Sequence, residues 1–262
     1  MSSETELAAE SAVDLALSIL HAGAKGDRVY KTDRDFATAT DFAIEDAVRA
    51  HLARETPGLG FLGEERGHTG NRDRYWCLDP IDGTTNFARG LPNYGVSLAL
   101  VVDGVPTFGT IALPAYAERY VTRDGVAWVN GERTTVSTTS GLPEAVVSVG
   151  DFATGSDSAE KNQRRLGMVE RLAQAVGRVR MLGSAATDLA WLAGGRLDAV
   201  VIDANRTWDV AAGVAVASAA GAVVTHLDGT RYSLAGRDVL AATPLIHAEL
   251  VSSLGYGRSL AE

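Results

Sequence analysis

A chain of 262 residues, 46% hydrophobic and 22% charged, has ordinary globular composition and enough length to bury roughly three quarters of its unfolded surface. Its net charge of −9 disfavours a nucleic-acid partner, which calls for a basic face. It leaves room for a small anionic ligand, because bound metal ions invert a local field. The single cysteine, Cys77, excludes an intrachain disulfide and reads as a small buried strand residue.

The start, Met1-Ser2-Ser3-Glu4-Thr5-Glu6, is acidic, unlike a secretory signal. Apolar residues at helical spacing (Ala9, Val13, Ala16, Leu20) predict a helix that stops at Gly23. Thr38-Ala39-Thr40-Asp41 opens a second, with Ile44, Val48 and Leu52 on one face and Pro57-Gly58 at its end. A strand over 75–78 runs into an acidic turn. From Tyr94 to Val129, apolar runs joined at Asp103-Gly104, Asp124-Gly125 and Asn130-Gly131 predict an antiparallel meander. The pattern then alternates: strand 145–149, helix 158–176, strand 178–182, a helix after Gly183 closed by Gly194-Gly195, and strand 197–202. Helix 208–220, strands 222–227 and 238–242, and helix 244–254 follow. The longest small-apolar run, Val210 to Val224, is Ala/Gly-rich and too short to span a bilayer. Helices on both sides of sheets predict a layered α/β fold. With no low-complexity linker, a single domain over 1–262 is expected, its halves near 1–140 and 145–262. The cytoplasm is the expected compartment.

The chemistry concentrates in Trp76-Cys77-Leu78-Asp79-Pro80-Ile81-Asp82-Gly83-Thr84-Thr85-Asn86. Taken alone, Asp-Pro-x-Asp-Gly is equally a well-formed turn. Two further acidic sites change the reading. Gly63-Glu64-Glu65 ends an apolar run upstream, and Trp208-Asp209 opens a helix downstream. Carboxylates at strand ends, with five histidines scattered at no paired spacing, suit hard divalent cations such as Mg²⁺. Asp79 is placed to bridge two ions, and Pro80 fixes the chain so that the Ile81 carbonyl can face the same cluster. Gly83-Thr84-Thr85 reads as a helix start with Thr84 or Thr85 as its cap, and free N–H groups there suit a phosphate. The Thr84 hydroxyl can position a water. Gly183-Ser184-Ala185-Ala186 is either a tight small-residue turn or a backbone surface for substrate. Thr38-x-x-Asp41 fits a capping box. Glu65 is expected behind the site or at the surface, and Asp198 as a turn acid or a backbone-orienting group.

The segment Asp79 to Asn86 resembles the first motif of the inositol monophosphatase family. Trp208-Asp209-Val210-Ala211-Ala212-Gly213, followed by Ala220-Gly221-Ala222-Val223-Val224, resembles its second. Thr38 to Asp41, Gly63 to Glu65 and Gly183 to Ala186 fall in the expected order, and the resemblance runs from about Asp35 to about Leu254. It implies an α-β-α-β-α sandwich, a homodimer, and Mg²⁺ as cofactor in two or three ions, with Mn²⁺ able to substitute. Glu64, Asp79 and the Ile81 carbonyl would hold the first ion; Asp79, Asp82 and Asp209 the second. Glu64 and Thr84 would hold the attacking water. Asp82, Gly83, Thr84, Gly183, Ser184, Ala185 and Asp209 would line the substrate, with Asp41 and Glu65 further out. A loop over 26–35 with Lys31 and Asp33 would close over the metals; Lys31 aligns one position off and receives no role.

The implied reaction is hydrolysis of a phosphate monoester, with myo-inositol 1-phosphate or a similar polyol phosphate as the leading substrate. Histidinol phosphate, fructose 1,6-bisphosphate and 3′-phosphoadenosine 5′-phosphate are the alternatives on the same fold, and Thr85 favours the inositol type. A non-catalytic regulatory protein is the rival from another class, since one bacterial relative binds the transcription machinery; a complete ligand set argues against it. Inositol-specific relatives carry an acid seven positions before the second-motif Asp. Here Ile202 stands there, and Asp203 is expected on the opposite face of its strand, which implies broad activity over polyol phosphates.

Overall fold

The computed structural model describes residues 3–23, 28–31, 36–155 and 158–255. Asp33 and most of the 26–35 loop lie outside the described residues; Lys31 lies within them. Helix α1 (Ser3–Ala22) buries Ala9, Ala12, Val13, Ala16 and Leu20. A short antiparallel pair, β1 (Arg28–Tyr30) and β2 (Phe36–Thr38), leads into α2 (Ala39–Glu55). Asp41 Oδ2 accepts the Thr38 N–H at 2.8 Å and its hydroxyl at 2.6 Å, tying off the first turn.

Eight strands follow: β3 (Gly60–Gly63), β4 (Gly67–Thr69), β5 (Arg74–Asp82), then, after the short helix α3 (Thr84–Arg89), β6 (Gly95–Val102), β7 (Val105–Leu113), β8 (Glu118–Arg123), β9 (Val126–Val129) and β10 (Glu132–Arg133). They form one sheet in the order β10-β9-β8-β7-β6-β5-β3-β4, antiparallel except for β3 against β5. The remaining elements are β11 (Val146–Val149), α4 (Ser158–Ala175), β12 (Arg178–Arg180), α5 (Ala185–Ala193), β13 (Ala199–Asp203), α6 (Thr207–Ala219), β14 (Val223–Thr225), β15 (Asp238–Ala242) and α7 (Pro244–Leu254). Their five strands order as β12-β11-β13-β15-β14, the first three parallel.

Alternation along the strands builds the layers. Trp76 and Leu78 face α1 and α2, while Cys77 faces Ala186, Ala190, Ala211 and Ala212 of α5 and α6. In the second sheet, Val200 and Ile202 face α5 and α6, whereas Val201 faces Met168, Leu172, Ile246 and Leu250 of α4 and α7. The order is thus α1/α2, large sheet, α5/α6, small sheet, α4/α7, which is the expected α-β-α-β-α sandwich. The Ala/Gly-rich run is explained by its place: α6 is covered on both sides, and only small side chains let two sheets approach it. No helix among the described residues is long and apolar enough to cross a membrane.

Two expectations need correction. The β3–β4 hairpin has no counterpart in the sequence reading, because its strands are short and carry Gly60, Gly63 and Gly67. The acidic motif is not a turn after the strand either. β5 continues to Asp82, and its register against β6 shifts between Asp79 and Asp82. Pro80 has no N–H to pair with β6, so the ladder breaks there. In a regular strand Asp79 and Asp82, three apart, would face opposite sides. The irregularity lets both line one cleft.

Candidate active site

That cleft, of about 470 Å³, opens where the end of β5, the starts of α3, α5 and α6, and the ends of β11 and β13 meet. It brings together Glu64, Asp79, Ile81, Asp82, Gly83, Thr84, Gly183, Ser184, Ala185 and Asp209. Asp41 and Glu65 are not part of this lining; Asp41 Oδ1 lies 3.3 Å from the Thr84 hydroxyl and Glu65 pairs with Lys31.

Each acid is placed by a local device. Glu64 sits in the β3–β4 turn, which is clamped from below by the buried Glu45 of α2. Glu45 Oε2 accepts the Glu65 N–H at 2.7 Å, and Oε1 accepts the Arg66 N–H at 3.0 Å. Gly63 has to be glycine there, since a Cβ would stand 2.2 Å from Glu45 Cδ. Gly83 has φ +83°, and a Cβ would meet the Asn93 carbonyl at 2.8 Å. Gly83, not Thr84 or Thr85, is the N-cap of α3. The Thr84 hydroxyl instead lies 2.9 Å from the Ile81 carbonyl and 3.3 Å from Asp41 Oδ1. Asp82 Oδ2 accepts the Ser184 hydroxyl and, at 2.9 Å, the Ala186 N–H. The N-terminus of α5 therefore holds Asp82 in place, while Gly183, Ser184 and Ala185 also line the cleft. Asp209 Oδ2 accepts the Arg206 N–H at 2.6 Å in the first turn of α6.

Burial and mutual repulsion govern the charges. Asp79 is 3% exposed, and burial followed by the Glu64, Asp82 and Asp209 carboxylates pushes its pKa well up. Burial raises Asp82 to about 6, against the opposing hydrogen bonds from Ser184 and Ala186. Burial raises Asp209 to about 8, against the Arg206 N–H. Asp79 Oδ1 is buried without a hydrogen-bond partner. A buried acceptor among like charges fits a cation. Among the described residues no three His, Cys, Asp or Glu side chains converge closely enough to hold one ion by themselves. A Mg²⁺ ion takes carboxylates and completes its shell with water, carbonyl and phosphate oxygens.

These shifts predict how the metal-free protein responds to pH. The acids are raised, so between about pH 4, where free carboxylates ionise, and about pH 8, where Asp209 does, the folded chain binds more protons than the unfolded one. Stability then falls as pH rises. Thermal melts of metal-free protein are expected to run several degrees higher near pH 5 than near pH 8, with Mg²⁺ recovering most of the difference by binding the folded state alone. A melting temperature that climbs over the same range contradicts this electrostatic picture.

Several participants escaped the sequence reading. Lys31 Nζ bridges Glu64 Oε1 at 2.7 Å and Glu65 Oε1 at 2.6 Å. Burial opposes its charge, but the two carboxylates outweigh burial and raise its pKa. Glu65, with a side chain 2% exposed, is no surface acid; burial raises it to about 7 against the Lys31 hydrogen bond. Asn86 Nδ2 donates to the Asn93 and Leu182 carbonyls, at 2.7 and 2.8 Å, stitching α3 to the loop before α5. Asp188, in the first turn of α5, accepts the Ser148 hydroxyl at 2.6 Å, and burial raises it to about 8. Asp198 accepts the Val146 N–H at 2.7 Å, so of its two expected roles it takes that of orienting backbone.

Ile202 and Asp203 point to opposite faces of β13, as expected from strand alternation. Ile202, 6% exposed, lines the cleft while packing with Leu189, Leu192 and Val210 on the α5/α6 side. Asp203 also lines the cleft and pairs with Arg164 at 3.1 Å. Asp203, still in register with Asp238 at the end of β13, turns its carboxylate toward Arg164 and Arg165 of α4.

A model of the inositol monophosphatase family matches residues 2–255. The chain is 38% identical over 250 residues to the probable inositol 1-monophosphatase ImpA of Mycobacterium tuberculosis, covering 94% of this chain and 92% of that one. It is 34% identical over 237 residues to the fructose-1,6-bisphosphatase/inositol-1-monophosphatase of Thermotoga maritima, covering 90% and 89%. The solved structure of an inositol monophosphatase from Anabaena superposes with a TM-score of 0.83 at 33% identity, over 93% of this chain and 92% of that one. With its motifs, its layers and its acidic cleft in agreement with a match over almost its whole length, the chain belongs to the inositol monophosphatase family.

Proposed function

We propose that this protein is a Mg²⁺-dependent phosphomonoesterase acting on polyol phosphates, with myo-inositol 1-phosphate among its good substrates. The observation that carries the reading is the buried, unpartnered Asp79 Oδ1 amid mutually repelling carboxylates. Relatives named for inositol 1-monophosphatase activity support the substrate class.

Glu64, Asp79, the Ile81 carbonyl, Asp82 and Asp209 would hold two or three Mg²⁺, or Mn²⁺ in its place. When bound, the metal supplies positive charge that neutralises the phosphate ester and makes water easier to deprotonate. The chain supplies the rest. Glu64 is the proton acceptor for the attacking water, with the Lys31 ammonium beside its carboxylate. Thr84, pinned near the Ile81 carbonyl and Asp41, orients that water. Asp82 keeps its place because the α5 N-terminus grips it, and Asp209 because it caps α6. Fixed groups of this kind stabilise developing charge without reorganising during the reaction.

The two halves act as one unit, in keeping with a core that interleaves Cys77, Ile111 and Tyr120 with Ala190 and Ala211. The cytoplasm is the proposed compartment, in keeping with a single buried free thiol, and a homodimer is the proposed assembly. The test is purified protein with Mg²⁺ against inositol 1-phosphate, glycerol 2-phosphate, histidinol phosphate, fructose 1,6-bisphosphate and 3′-phosphoadenosine 5′-phosphate. Polyol phosphates are expected within about a hundredfold of one another in kcat/KM, a spread of about 2.7 kcal/mol. Exclusive turnover of histidinol phosphate or of the nucleotide would overturn the assignment.

A further inference from the structure

Asp203, Ala204, Asn205 and Arg206 also line the cleft. Ala204 has φ +71°, a left-handed conformation that costs energy for a residue with a Cβ. The surroundings hold it there. The Asp203 carboxylate pairs with Arg164 of α4, and the Asp203 carbonyl accepts a hydrogen bond from Arg165. Arg165 also donates to the Asp151 carbonyl at 2.6 Å, so one buried guanidinium fixes the strand-end carbonyls on both sides of the cleft. The Asn205 N–H donates to the Arg237 carbonyl at 2.7 Å.

This strained, clamped segment presents Asn205. Its side chain is polar and the residue only 7% exposed, yet Oδ1 is buried with no hydrogen-bond partner. A native protein seldom leaves such an atom unpaired, because it forfeits the bond that water gave it. Asn205 lies four residues before Asp209, at most about 14 Å along the chain, so one small ligand can reach both. The groups around Asp79 bind the phosphate end and leave the alcohol unread.

Resting on the phosphomonoesterase reading, we propose that Asn205 is a specificity-determining residue whose side-chain amide hydrogen-bonds a hydroxyl of the alcohol part of the substrate. A hydroxyl both donates and accepts, and so can pair with either end of an amide. Arg165 is then a positioning residue for the pocket, acting through the Asp203 and Asp151 carbonyls.

The experiment uses the full chain with Mg²⁺ and the variants Asn205→Leu and Asn205→Ala. Kinetics are measured on inositol 1-phosphate and on p-nitrophenyl phosphate, which has no alcohol hydroxyl, with inorganic phosphate as inhibitor and thermal melts alongside. Both variants are expected to lose about tenfold or more in kcat/KM on inositol 1-phosphate. Turnover of p-nitrophenyl phosphate and inhibition by phosphate should stay within about twofold. Asn205→Leu should melt no lower than wild type, since it removes a polar atom that the fold leaves unpaired. An equal loss on both substrates would make Asn205 a structural residue and overturn the proposal, as would unchanged kinetics on inositol 1-phosphate. Wild-type protein inert toward every phosphate ester would instead refute the reading on which the proposal rests.

Discussion

Asp79→Asn is expected to lower phosphate release by at least about 10³-fold while leaving the metal-free fold intact or more stable. Loss of a single electrostatic group at a reacting centre commonly costs about 10²–10³ in kcat, and Asp79 is the group proposed to border both ions. The substitution keeps size and shape and removes a charge that burial and the Glu64, Asp82 and Asp209 carboxylates all disfavour. The same change that ends activity should therefore relieve repulsion in the empty site. Asp209→Asn should behave alike, because an asparagine oxygen can still accept the Arg206 N–H that caps α6. The checks are kcat at saturating Mg²⁺ and melting of the metal-free variants. Wild-type turnover by either variant would sink the assignment of these carboxylates.

Chelation should have an effect of similar size. Exhaustive EDTA treatment is expected to bring turnover to background, and Mg²⁺ or Mn²⁺ to restore it. Ca²⁺ should fail to restore it and should inhibit when added with Mg²⁺, because it takes longer bonds and six to eight oxygen ligands. Lithium inhibition is the further expectation from the family resemblance. Full activity after complete removal of divalent ions would rule out the proposed chemistry.

The parts of the site legible in the sequence are those built from neighbours along the chain. Asp79, Asp82 and Gly83 share one short motif, and Asp209 opens the helix of a second. Layered α/β packing was legible because hydrophobic period separates helices from strands, the α-β-α-β-α order came from the family resemblance, and the Thr38–Asp41 cap was legible because its spacing is local. What was missed depends on partners distant in sequence. The irregularity at Pro80 exists only against β6. Lys31 meets Glu64 and Glu65 across more than thirty residues. Glu45, one helix away, holds the turn that carries Glu64. The opposite facing of Ile202 and Asp203 was legible from period-two alternation, but the Arg164 and Arg165 partners of Asp203, nearly forty residues away on α4, were not. Asn205 carried no signal, since an asparagine before a helix reads as an ordinary turn residue until its unpaired oxygen is seen.

The central claim is that this acidic cleft is a divalent-cation site for phosphate esters, and it can be tested without knowing the natural substrate. Metal-free protein is titrated with Mn²⁺ in the presence of inorganic phosphate, and free Mn²⁺ is read by electron paramagnetic resonance. Two or more ions per chain are expected to bind to wild type, and at least one fewer to Asp79→Asn, because Mn²⁺ favours the same oxygen donors as Mg²⁺. No binding to the wild-type chain, or the same number of ions on the Asp79→Asn variant, would contradict the account.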